Sequence, residues 1–254
     1  MQIPATRTFG WREWLLLAIA AAVCLGLILH GPIRQDQDYH RFADGRGMLG
    51  LPNFWNVISN LAFLLFGAWG LAALYRNRSR WLPMRAAYVV FFIGSACVAL
   101  GSAYYHMDPS DHTLVWDRLP MTVAFMAFFA ALVGRYVHPT HGVRALVPLL
   151  ALGLLSVLWW RIVGDLRPYL MVQFLPILLI PAILLLYPVG APGTRYIWAV
   201  LGVYVLAKVL EIYDAQIYGA LGMSGHSLKH VAAAIGVYCV VLAVRAEMRD
   251  AERA

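Results

Sequence analysis

The chain has 254 residues, of which 61% are hydrophobic and 13% are charged, and its mean hydropathy is +0.68. This balance excludes an ordinary soluble domain and is typical of an integral membrane protein. In so apolar a chain, the net charge of +7 indicates membrane topology and not nucleic-acid binding.

Eight apolar stretches are long enough to cross a bilayer as helices. In chain order they are 13–30, 53–76, 84–107, 113–138, 142–162, 168–188, 193–219 and 226–246. The connections are short, and the longest runs from Gly31 to Pro52. The first stretch is long for the apolar region of a signal peptide and lacks a convincing cleavage site, which predicts an anchor helix. We therefore predict an all-α integral membrane protein with eight spans.

The basic residues are divided unequally between the two ends of these spans. Twelve, including Arg7 and Arg253, lie in the tails and in the connections after the second, fourth and sixth stretches, and five lie in the other connections. Because Lys and Arg are retained on the cytoplasmic side, both termini are predicted to be cytoplasmic.

Polar residues gather at the ends of three stretches, on the side of the membrane that carries fewer basic residues. Ser102 lies one helical turn before His106 at the end of the third, Asp117 lies near the start of the fourth, and His226 and His230 are one turn apart at the start of the eighth. Neutral imidazoles suit zinc, and a nearby carboxylate and hydroxyl are the groups that hydrolytic metal chemistry needs. The alternative is an interfacial polar cluster without a metal. By the charge count, this cluster faces the non-cytoplasmic side.

Two further polar stripes lie inside apolar stretches, where unpaired polar groups are costly. The first stripe consists of Asn53, Asn56 and Asn60. For this stripe, interhelical hydrogen bonding is favoured over catalysis. The second stripe consists of Lys208, Glu211 and Asp214. For this stripe, an internally paired charge cluster is favoured over a substrate head-group site. Lys229 is predicted to point away from the two neighbouring histidines, toward the membrane interface.

Four segments together resemble the alkaline ceramidase family: FWNVISNLAF (54–63), GSAYYH (101–106), DRLPM (117–121) and GHSLKH (225–230). That family belongs to a group of seven-helix membrane hydrolases that includes the adiponectin and progestin receptors. The resemblance extends from Asp44 to Val244. It implies a seven-helix core within residues 32–254, preceded by an N-terminal anchor helix within residues 1–31.

The resemblance also implies a function and a set of site residues. His106, His226 and His230 match the zinc-binding histidines, Asp117 matches the aspartate beside the zinc-bound water, and Ser102 matches the serine that assists at the scissile carbonyl. The implied activity is hydrolysis, by zinc-activated water, of the N-acyl bond of ceramide or a similar N-acyl lipid in the bilayer. Only two of the twenty basic residues are lysines, a bias that suggests a bacterial inner-membrane protein.

The chain departs from the family at its calcium site. Eukaryotic ceramidases carry an acidic, tryptophan-containing segment and a glutamate before FWN, whereas this chain has DYHRFADGRGMLGLPN, with Asn53 at the glutamate position. Asp44 and Asn53 offer oxygen ligands for Ca²⁺, but the remaining ligands have no clear candidates. A salt bridge between Asp44 and Arg46 is an equally good interpretation.

Two other functions are open to the same sequence. A receptor or signalling protein can be built on this scaffold, since a fold does not by itself define a function. A membrane cytochrome with haem between two histidines is the third possibility, but it ranks low because these histidines lie at helix ends beside a carboxylate.

Overall fold

A computed structural model describes residues 10–80, 82–188 and 190–250 of the chain. The predictions that rest on Arg7 and Arg253 therefore lie outside the described residues. Within these ranges the chain is helical, and its only β-type pairing is an isolated bridge between Met48 and Leu51. The prediction of an all-α membrane protein is confirmed.

Ten α-helices are present in the described ranges. They are α1 (Trp11–His30), α2 (Phe54–Ile58), α3 (Leu61–Arg76), α4 (Arg85–Met107), α5 (Asp111–Leu132), α6 (Pro139–Val163), α7 (Arg167–Leu186), α8 (Thr194–Ile212), α9 (Asp214–Leu221) and α10 (Gly225–Asp250). A short 3₁₀ helix, Gln37–His40, lies in the connection between α1 and α2, and a π-helical turn, Val133–Val137, extends α5.

The described helices form seven segments that are long and apolar enough to span a membrane, with α2 and α3 counted as one segment. An eighth is obtained when α8 and α9 are counted together, although they are bent by 81° at Tyr213. The chain is therefore a multi-pass membrane protein. The span predicted over 193–219 thus corresponds to a bent pair of helices and not to one straight helix.

Asp214 explains the bend between α8 and α9. Its carboxylate accepts hydrogen bonds from the Ala43 and His226 backbone N–H groups and from the Ser224 hydroxyl. These donors come from the connection before α2 and from the start of α10, so the chain must turn at Tyr213 to bring the carboxylate to them. Backbone donors at a helix N-terminus are otherwise unsatisfied, which makes this contact favourable.

Glycines allow α4 and α5 to approach very closely. A Cβ added at Gly94 would lie 2.9 Å from the Ala124 backbone nitrogen, and one added at Gly101 would lie 2.8 Å from the Trp116 carbonyl carbon. Small residues at such crossings are the usual means of packing helices in a membrane, where van der Waals contact drives association. This crossing holds Ser102 and Asp117 on adjacent helices.

The helix α1 lies along α7 and contains no buried residue. Cys24 of α1 contacts Met171 of α7, and the Arg167 guanidinium donates to the Leu27 and Ile28 carbonyls at the end of α1. In the connection between α6 and α7, hydrogen bonds from Arg167 lower the pKa of Asp165 to about 2. The division into an anchor helix and a seven-helix domain stays a prediction.

Candidate active site

Three histidines from two helices meet at one end of the bundle. His106 lies in the last turn of α4, whereas His226 and His230 lie in the first turns of α10. All three are buried, and one ring nitrogen from each lies within 4.8 Å of the others. Three imidazoles so arranged can hold one metal ion and leave a further coordination position open.

The hydrogen bonds of the three rings bear on whether a metal fits. The Nδ1 atom of His230 is 2.8 Å from the Ser59 hydroxyl, which leaves its Nε2 atom for a ligand. The buried Nδ1 atom of His106 has no hydrogen-bond partner among the described residues. Because buried polar atoms are normally satisfied, an unpaired nitrogen beside two other imidazoles fits a metal-binding role.

Ser102 and Asp117 lie close enough for a side-chain hydrogen bond, next to these histidines. Both side chains are buried, Ser102 on α4 and Asp117 on α5. An ionised carboxylate only accepts hydrogen bonds, so the Ser102 hydroxyl is the donor. The structure thus brings all five residues expected from the sequence to one region.

The connection before α2 covers the histidines, a feature that no sequence pattern indicated. The Phe42 ring lies 4.6 Å, between ring centroids, from both His106 and His226. His40 fixes this connection, because its two ring nitrogens lie 2.9 Å from the Tyr105 hydroxyl and 3.0 Å from an Asp111 carboxylate oxygen. An aromatic cover of this kind limits the access of bulk water to the site.

Asp44 and Asn53 are both engaged in hydrogen bonds within the protein. The Arg46 guanidinium contacts both carboxylate oxygens of Asp44, at 2.8 and 2.7 Å, and these bonds hold the pKa of Asp44 below its usual value. The Asn53 side-chain N–H group donates to the His106 carbonyl. The salt-bridge interpretation of Asp44 is confirmed, and Asn53 helps to fix the end of α4.

Two of the three asparagines in the stripe, Asn53 and Asn56, form hydrogen bonds between segments, as predicted. The Asn56 side chain donates to the Asp44 carbonyl and accepts from the Ser227 hydroxyl on α10. The Asn60 side chain donates to the Asn56 carbonyl within its own segment. These contacts fix the broken helix formed by α2 and α3 against α10, where His230 lies.

The charged stripe is paired internally through Lys208 and Glu211, as predicted, and Glu211 also pairs with Lys229 of α10. The Glu211 carboxylate contacts Lys208 at 2.6 Å and Lys229 at 2.9 Å, while Asp214 belongs to the separate set of hydrogen bonds at the bend. The prediction that Lys229 extends to the interface was wrong. Its ammonium turns inward because Glu211 lies on the facing helix, and its Nζ atom is 3.1 Å from the His226 Nε2 atom.

A cavity of about 180 Å³ lies beside this site. Its polar end is lined by Ser102, Asp117 and His230, and apolar residues such as Phe91, Phe128 and Val240 line the rest. A mostly apolar cavity with a few polar groups at one end is typical of a site for an apolar ligand with one polar functional group.

The bundle and its buried polar cluster define a multi-pass membrane protein with a candidate metal centre. A sequence model of the ceramidase family matches residues 51–190, more than half of the chain. The chain therefore belongs to the ceramidase family and is a ceramidase-like amide hydrolase. The matched region contains Ser102, His106 and Asp117, and α10 with its two histidines follows it. A search of curated proteins found no match.

Proposed function

We propose that this protein is a zinc-dependent hydrolase that cleaves the N-acyl bond of ceramide or a related N-acyl lipid within the membrane. The observation that carries the proposal is the cluster of three buried histidines, with their ring nitrogens within 4.8 Å of one another, beside a Ser102–Asp117 pair. The adjoining apolar cavity supports a lipid as the substrate.

His106, His226 and His230 are the residues that would hold zinc. When bound, zinc supplies Lewis acidity and lowers the pKa of water at the site. The Lys229 ammonium donates to His226, which requires that imidazole nitrogen to be unprotonated. A neutral imidazole has one lone-pair nitrogen, so a metal bound at His226 would replace Lys229 as the partner of that nitrogen.

Asp117 is proposed as the general base. Its carboxylate takes one proton from the attacking water as the oxygen bonds to the acyl carbon, and it later gives this proton to the departing amine nitrogen. The C–N bond then breaks, and the products are a fatty acid and a free amine. Burial away from bulk water keeps the proton at the carboxylate between the two steps.

Ser102 is proposed to assist once Asp117 is protonated. While Asp117 is ionised, the Ser102 hydroxyl can only donate to its carboxylate. After Asp117 has taken a proton it can donate to the Ser102 oxygen, which frees the Ser102 proton for the carbonyl oxygen of the substrate. The negative charge that develops on this oxygen would thereby gain a hydrogen bond.

The site is further proposed to open on the non-cytoplasmic side of a bacterial inner membrane, with both termini in the cytoplasm. This orientation rests on the twelve basic residues at one end of the spans and the five at the other. The polar cluster lies at the end with fewer basic residues. Substrate would therefore come from the bilayer and the amine product would leave on the non-cytoplasmic side.

The mechanism is tested by comparing Asp117→Asn and Ser102→Ala in purified protein. Asp117→Asn is expected to retain zinc and to lower the rate of fatty-acid release by about 10² to 10⁴, as for a lost general base. Ser102→Ala is expected to lower it by about 10 to 10³, as for one lost oxyanion donor. Asp108→Asn, which changes an exposed carboxylate at the end of α4, is the matched control and should keep wild-type turnover.

The opposite pattern would contradict the proposal. If Asp117→Asn released the metal while Ser102→Ala had no effect on fatty-acid release, the metal would have a structural role with four protein ligands. A receptor on the hydrolase scaffold would then be the better interpretation.

A further inference from the structure

Three charged residues line the same cavity as Ser102 and Asp117. Lys208 and Glu211 lie on α8 and Lys229 lies on α10, and all three line the same cavity as His230. None of them makes or breaks a bond or transfers a proton in the proposed hydrolysis. Charged side chains inside a membrane protein are costly, so such a group on the wall of a substrate cavity requires an explanation.

The three residues carry an excess of positive charge. The two Glu211 carboxylate oxygens are divided between the two ammonium groups, with Oε2 at 2.6 Å from Lys208 and Oε1 at 2.9 Å from Lys229. Two cations thus share one anion. Asp117, the other carboxylate on the cavity wall, is hydrogen-bonded to Ser102. With Asp117 ionised, the two carboxylates balance the two ammonium groups. Once Asp117 has taken a proton in the proposed reaction, one positive charge is left, which a bound anion would balance.

The lysines also have hydrogen-bonding capacity to spare. An ammonium group carries three N–H donors, and Lys208 uses one of them in a hydrogen bond within the described residues. Its side chain is 32% exposed and lines the cavity, so a ligand there can reach it. A charge-assisted hydrogen bond from such a donor to a carboxylate or phosphate is stronger than one between neutral groups.

The position of Lys229 limits how far an anion can be from the scissile bond. Its Nζ atom is 3.1 Å from the His226 Nε2 atom, so the ammonium lies directly beside the histidine cluster. An anionic group bound by Lys229 must therefore be only a few bonds from the acyl carbon that reacts there. A carboxylate one carbon from the amide nitrogen meets this requirement.

We propose that Lys208 and Lys229 bind a carboxylate on the amine side of the substrate, so that the preferred substrates are N-acyl amino acids and not neutral ceramides. The inference rests on the proposed hydrolase function and assigns its substrate class. Water is added across the amide bond as before, and the products are a fatty acid and a free amino acid. Glu211 holds the two ammonium groups in position.

The test compares two substrates of nearly equal size that differ in charge, N-palmitoylglycine and N-palmitoylglycinamide. The full-length protein is expected to show a kcat/KM at least about tenfold higher for the acid, the effect of one charged hydrogen bond in a partly buried site. Zinc-stripped protein should bind the acid more tightly than the amide by a similar factor. Equal or weaker binding and turnover of the acid would overturn the proposal.

Variants of Lys208 test whether this residue causes the preference for the acid over the amide. Lys208→Met should reduce the ratio of acid to amide, both in kcat/KM and in affinity, to about one, whereas Lys208→Arg should preserve most of it because the charge remains. Arg144→Met, which removes an exposed positive charge outside the cavity, is the control and should leave the ratio unchanged. An undiminished ratio in folded Lys208→Met would refute the role of Lys208.

The binding measurement separates this inference from the proposed function. Preferential binding of N-palmitoylglycine without hydrolysis of either compound would support the anion site and contradict the hydrolase proposal. Hydrolysis of both compounds without a preference would support the hydrolase proposal and contradict the anion site. Preference for N-palmitoyl-2-aminoethyl phosphate over N-palmitoylglycine would show that the site binds a phosphate, which contradicts the carboxylate assignment.

Discussion

Gly101→Ala tests how strongly the α4–α5 crossing controls the chemistry. Gly101 directly precedes Ser102, and Trp116 on the facing helix directly precedes Asp117. A Cβ added at Gly101 would lie 2.8 Å from the Trp116 carbonyl carbon and 3.3 Å from the Pro120 Cγ atom, whereas ordinary contact begins at 3.4 Å. The obstacle is helix backbone, which no side-chain rotation can remove.

The magnitude follows from this geometry. Relieving the overlap requires the two helices to separate by a distance on the order of 1 Å, and overpacking of this kind typically costs about 1 to 3 kcal/mol. A displacement of about 1 Å at reacting groups can lower the rate about 10²-fold. We therefore expect Gly101→Ala to lower kcat about 100-fold and to lower the melting temperature.

The assay is fatty-acid release at saturating substrate, together with the melting temperature of the detergent-purified protein. Gly202→Ala is the matched control, because a Cβ at Gly202 of α8 meets no atom of the described structure within 4 Å. Alanine is the better helix former, so this control should keep full activity. Wild-type kcat and melting temperature in Gly101→Ala would refute the argument that this contact positions Ser102 and Asp117.

Three further predictions concern the surroundings of the site. Ser59→Ala should weaken zinc binding about 10- to 100-fold, since it removes the hydrogen bond to the His230 Nδ1 atom; unchanged affinity in a chelator competition would contradict this. Arg167 depresses the folded-state pKa of Asp165 to about 2. The stabilisation that the ionised Asp165 carboxylate gives the folded protein is therefore complete above the unfolded pKa near 4 and is lost as pH falls through 2. The melting temperature of Asp165→Asn should therefore be below wild type at pH 7, with a gap that narrows between pH 4 and 2; a constant gap would count against the ion pair. A label within residues 108–112 should be accessible from the non-cytoplasmic side, and labelling from the cytoplasm would reverse the proposed topology.

The membrane spans were predictable because hydropathy and length are properties of the sequence alone. A bilayer-spanning helix satisfies its own backbone, so its presence depends little on its neighbours. The bend at Tyr213 was not predictable in this way. It depends on Asp214, whose partners at Ala43 and His226 are distant in sequence.

The candidate site, too, was predictable only in part from the sequence. The spacing of His226 and His230 on one helix, and the position of His106 at the end of a span on the same side, predicted the cluster that the structure contains. Lys229 was placed wrongly because a helical wheel gives the direction of a Cβ atom but not the end of a long side chain, which here follows Glu211. Phe42 lies in an irregular connection, where no periodicity indicates which side chains turn inward.

Metal content measured together with activity is the most direct test of the central claim. Protein purified without chelators is expected to contain about one equivalent of zinc and to release fatty acid from an N-acyl lipid, and His230→Ala should lose both properties. Zinc below about a tenth of an equivalent in the wild type, or full occupancy in His230→Ala, would contradict the three-histidine site. Stoichiometric iron with a Soret absorption band would instead indicate a haem protein.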